Sequence, residues 1–72
     1  MFLVKDIAGI TPEAVEMLNA LGIETMEQFI DAAAQNSNRA ELSQKTGIPE
    51  AALLKWVNRA ENRIMMSKLL KQ

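Results

Sequence analysis

The sequence predicts an all-α fold: a compact bundle of about five short helices with a longer C-terminal helix, in one domain spanning residues 1–72. Three observations carry this. Apolar residues recur at i, i+3, i+4 and i+7 along most of the chain. No stretch alternates with period two, and β-branched residues are sparse. Helix start and stop residues bracket the periodic runs, among them three glycines each followed by isoleucine: Gly9-Ile10, Gly22-Ile23 and Gly47-Ile48.

The elements follow in order. Thr11 is a suitable N-cap, Pro12 suits the first helical position, and Glu13 and Glu16 complement the positive end of the helix dipole. A helix over 12–21 then carries Ala14, Met17, Leu18 and Leu21 on one face, and Gly22 stops it. Thr25 opens the next helix with a capping box to Gln28, and Met26, Phe29, Ile30 and Ala33 form its apolar face. The polar run QNSN at 35–38 reads as a loop, followed by a short helix over 39–46 capped by Ser37 or Asn38 and closed by Gly47. Pro49 starts the last helix, which runs to about residue 69 with Leu53, Trp56, Val57, Ala60 and Ile64 as its buried stripe. A glycine at each junction permits a sharp turn, and the isoleucine after it can drop into the core.

Composition excludes several kinds of chemistry. A chain of 72 residues, 49% of them apolar, is near the lower size at which one core sustains folding. It has no cysteine, histidine or tyrosine, which removes disulfides, thiolate nucleophiles, the commonest general base and a structural zinc site. The carboxylates lie at helical surface spacing, and so short a chain has little room for a deep substrate pocket. The expectation is a protein that is not an enzyme and uses no cofactor, metal or small-molecule substrate. No apolar run approaches membrane-spanning length, and MFLVKDIAGI places its lysine after the apolar residues, the wrong order for a secretory leader. A cytoplasmic protein is the expectation.

Charge is unevenly spread. Residues 1–31 carry one lysine against six acids, or −5, whereas residues 32–72 carry seven basic residues against three acids, or +4. Either this is ordinary scatter over helix surfaces, or the chain is dipolar with a basic face for an acidic partner.

The run Ile7-Ala8-Gly9-Ile10-Thr11-Pro12, followed by Val15 and Leu18, resembles the helix-hairpin-helix motif, and LGIETMEQF is similar to its continuation. TGIPEAALLKWVNRAENRI resembles a segment of a bacterial family of unknown function built from tandem helix-hairpin-helix-like units. The matching positions there are Thr46, Gly47 and Ile48, then Leu53, Trp56, Val57, Asn58 and Ala60, and the likeness covers about residues 5–64. The resemblance implies a helix-hairpin-helix, SAM-like bundle. It also implies, in DNA-binding members, a hairpin whose backbone amides meet a phosphate. Thr11 replaces the second hairpin glycine here, and Glu13 and Glu16 place negative charge beside the same helix end.

Two surfaces are candidate sites. Met65, Met66, Leu69 and Leu70 extend past what a small core can cover; they either cover Phe2, Leu3 and Val4 or dock a protein partner or second copy. Gly9, Ile10 and Thr11, with Lys55, Arg59 and Arg63 at i, i+4 and i+8 on the last helix, are the candidates for weak, sequence-independent DNA binding. The bland alternative for that stripe is a solvated helix face. Trp56 reads as the main core residue, an interface anchor being the other reading. Protein binding or self-association is the leading expectation, and nucleic-acid binding the second.

Overall fold

A 3-10 turn (Val4–Asp6) leads into four α-helices: α1 (Pro12–Ala20), α2 (Met26–Ala33), α3 (Asn36–Thr46) and α4 (Glu50–Leu70). The computed structural model describes residues 1–70, with side chains as far as Leu69. Against the expected total of about five helices there are four, and the remaining element is a single 3-10 turn. It is stitched to the α1–α2 junction by Val4 N–H to Glu24 O (3.0 Å) and Met26 N–H to Phe2 O (2.9 Å). An isolated antiparallel bridge between Leu3 and Thr25 accompanies these bonds.

The helix ends are built largely as their sequences dictate. The Thr11 hydroxyl accepts from Ala14 N–H at 3.2 Å, satisfying one of the first amides of α1. Thr25 accepts from Gln28 N–H at 3.1 Å, while Gln28 Oε1 accepts from the Thr25 and Glu24 amides, completing the capping box of α2.

All three glycines have positive φ, between 76° and 83°. At Gly22 the reason is a Schellman motif: Ile23 N–H reaches Leu18 O, Gly22 N–H reaches Asn19 O, and Ile23 packs into the core where Leu18 is fully buried. Gly9 instead sits in a tight turn closed by Ile10 N–H to Ile7 O. The Gly47 junction borrows side chains: Thr46 Oγ1 accepts from Ile48 N–H (3.2 Å), and Ser43 Oγ donates to Ile48 O (2.5 Å). One dipeptide therefore serves three different devices.

Two sequence expectations are corrected. Residues 36–38 are not loop but the first turn of α3, and the residue at its N-cap is Gln35, without a side-chain cap bond. The cause is Arg39. Its buried guanidinium donates to Ala33 O (3.0 Å) and Ala34 O (3.1 Å), the terminal carbonyls of α2, and to Asn36 Oδ1. This fastens the end of α2 to the start of α3 and leaves only a two-residue connection. On α1, Ala14 and Leu18 are buried, but Met17 and Leu21 are 43% and 47% exposed, and Val15 packs against the core instead. In a nine-residue helix the Ala14–Leu18 pair is compatible with apolar neighbours on either side, and packing chose Val15.

The core lies between α2 and α4, the most extensively packed pair, and is completed by α1, α3 and the N-terminal segment. Phe29, Leu18, Met26, Leu53 and Val4 are the largest fully buried side chains. Each of these contributes about 1.5–3 kcal/mol by leaving water. Trp56, Val57 and Ala60 are buried with them, and Ile64 packs at the edge. The result is a compact all-α globule of radius of gyration 11.7 Å, close to the roughly 11 Å expected for this length. Its extents of 39 × 22 × 19 Å reflect α4, whose 21 residues span about 31 Å. No helix among the described residues is long and apolar enough to cross a membrane.

Candidate functional site

The core needs only the first two-thirds of α4. Leu53, Trp56, Val57 and Ala60 are buried, and exposure rises steeply beyond Ile64. Met65, Met66 and Leu69 are 59%, 55% and 60% exposed. At about 100° per residue they fall on the half of the helix turned away from the buried stripe. More than half of each of these side chains stays exposed, while Val4 is buried and Phe2 and Leu3 are half-buried. Leu70, expected on the same face, has its side chain outside the described residues. Met65 borders a shallow groove of about 280 Å³ with Ile30, Ile64 and Lys68, whereas Met66 lies on the opposite flank.

That opposite flank holds a larger groove, about 610 Å³, between the Asp6–Ala8 segment and α4. Ile7 and Met26 form part of its apolar lining, and Arg59, Asn62, Arg63 and Met66 its α4 wall. Arg59 crosses to the N-terminal segment, where Nη1 donates to Ala8 O at 2.5 Å. A Cβ built on Gly9 would run into that same nitrogen, so the glycine leaves room for the guanidinium. Arg63 lies over the Phe2 ring, 5.3 Å from its centroid, in cation–π geometry. Among the described residues the one ion pair is elsewhere, Glu41 with Lys45 at 3.5 Å on α3.

The sequence-derived candidates are thus partly gathered. Gly9 and Arg59 are brought together although 50 residues separate them, and Lys55 and Arg63 continue the exposed stripe on either side of Arg59. Ile10 is set into the edge of the core, and the Thr11 hydroxyl is engaged in capping α1. Asp6 and Asn62 also line the groove without having been expected there. Asn62, three residues from Arg59 on a helix, was legible from spacing, but Asp6 carries no sequence signal for it. Among the described residues no cluster of three or more histidines, cysteines or carboxylates is arranged to hold a metal ion.

Fold and surface together define a small all-α domain with a bare apolar helix end beside a basic flank. Residues 8–68 match a family described as a domain of unknown function, DUF4332, and the chain belongs to that family. No curated protein and no solved structure matches the chain.

Proposed function

We propose that this chain is a non-enzymatic protein-binding module whose docking face is the C-terminal half of α4, and that it associates with itself through that face. The observation carrying the reading is the exposure of Met65, Met66 and Leu69 together, on a helix that outruns its own core. Three large apolar side chains in one short segment form a patch of the kind that partners cover, and methionine adapts to irregular partner surfaces. The absence of histidine, cysteine and tyrosine from the sequence supports the non-enzymatic part of the reading. Sedimentation equilibrium over a range of concentrations tests it. Average mass should rise with concentration in the wild type and stay at one chain for Leu69→Asp; a wild type of constant single-chain mass overturns the proposal.

We further infer a helix-hairpin-helix-like arrangement. In its favour are the Gly9 turn entering the Thr11-capped α1 and the Gly22 turn entering the capping box of α2. Weak DNA binding through Gly9, Ile10, Thr11, Lys55, Arg59 and Arg63 is the second reading, favoured by the approach of the Arg59 guanidinium to the Gly9 turn. Glu13 and Glu16 weigh against it at the same helix end. A titration with labelled duplex in low salt decides this. Binding that falls steeply with added salt and weakens on Arg59→Glu supports the second reading, and no binding ends it.

A further inference from the structure

The α4 face has a complement on the other side of the charge divide. On α1 and its C-cap residue the exposed Met17 and Leu21 stand at i and i+4, with Glu13 one turn before Met17 and Glu16 beside it. None of these four side chains is used by the core. On α4, Arg59 and Arg63 precede Met66 and Leu69 along one exposed side. Both stripes run in the same order, charge at the N-terminal end and apolar side chains at the C-terminal end. They have similar lengths at 1.5 Å per residue, roughly 12 Å from Glu13 to Leu21 and roughly 15 Å from Arg59 to Leu69. Both are exposed, so neither covers the other within one chain.

We propose that the occupant of the α4 face is the α1 stripe of a second copy of this chain, laid parallel to α4 in a head-to-tail contact. This rests on the self-association reading above and names the surface that completes it. In the parallel arrangement Glu13 and Glu16 meet Arg59 and Arg63, while Met17 and Leu21 meet Met66 and Leu69. An antiparallel arrangement sets the carboxylates on the methionine and leucine instead. Two α4 helices side by side in parallel bring Lys55, Arg59 and Arg63 against their own copies, a like-charge contact. Asp6 sits in the groove beside both arginines and competes with the incoming carboxylates; Lys45, near Leu21, is paired with Glu41. In the head-to-tail form the contact is heterologous: each bound copy still offers one free stripe, and assembly continues into a ring or a chain, so a wild type that stops at a dimer overturns it.

Mixing two blocked variants tests this by sedimentation velocity. Met17→Asp disables the α1 stripe and Met66→Asp the α4 stripe, both at exposed positions. The wild type should grow beyond a dimer with concentration, each variant alone should sediment as one chain, and their equimolar mixture should double in mass and stop there. If Met17→Asp assembles as the wild type does while Met66→Asp does not, the head-to-tail contact is wrong and self-association through α4 stands. A mixture that stays at single-chain mass also overturns the contact, and a wild type that never associates overturns both readings. Should either aspartate variant lose helicity, Glu16→Lys and Arg63→Glu replace them. Each should abolish assembly and the double variant should restore it; no restoration overturns the contact.

Discussion

Removing the Arg39 side chain should cost about 2–4 kcal/mol, a large loss for a surface-type residue. Its guanidinium makes three hydrogen bonds, two to the last carbonyls of α2 and one to the first residue of α3. A hydrogen bond involving a charged group contributes about 1.5–3 kcal/mol net. The bond to the buried Ala33 is counted in full. Ala34 and Asn36 are exposed and can turn to water, so their bonds are counted at a fraction. A domain of this size holds only about 4–11 kcal/mol in total. At about 4–8 °C per kcal/mol, Arg39→Ala should lower Tm by roughly 8–32 °C in a thermal melt followed by circular dichroism. Arg39→Met, which keeps the apolar stem, should recover little, and Arg39→Lys, which keeps the charge but not the planar fork, about half. A loss below about 0.5 kcal/mol for Arg39→Ala would refute the role given to this residue in joining α2 to α3.

Gly9→Ala and Gly22→Ala should both destabilise by about 1–2 kcal/mol, since each forces a side chain into positive φ. Gly9→Ala should cost more in urea melts, because its methyl displaces Arg59 from Ala8 O whereas nothing lies near Gly22; equal losses would mean that the Arg59 contact contributes nothing. Trp56→Ala should cost about 3–5 kcal/mol, much of the stability of so small a domain. Trp56→Phe should cost less than about 1.5 kcal/mol, because it also removes a buried indole N–H that has no acceptor among the described residues. Equal losses for the two variants would contradict this reading of the indole N–H.

The parts of this fold that sequence revealed are those governed by local chemistry. Thr11, Thr25 and Gln28 act on backbone groups within four residues of themselves, and a glycine at a helix end needs only its own φ, so these could be read directly. What could not be read depended on residues distant in the chain or on a choice between equivalent faces. Arg39 looks like a surface charge until the end of α2 is placed beside it, and QNSN looks like a turn for the same reason. Met17 and Leu21 fit an apolar face as well as Val15 does, and only the packing of α1 decides between them. At the candidate site the α4 residues were legible because an apolar run outlasting a small core is visible in one dimension. The Arg59–Ala8 bond and the opposed α1 stripe became visible only once the helices were in place.

The five methionines provide the most direct test of the docking face. Met65 and Met66 lie on the exposed end of α4, Met17 on the exposed side of α1, and Met26 in the core. Methionine-methyl NMR spectra, recorded as the protein is diluted, should show the Met66 and Met17 signals moving while the Met26 signal stays fixed. Signals of Met66 and Met17 that hold still across the whole dilution range, or that move no more than Met26, would contradict the assignment of α4 as a surface that binds a second copy of this chain.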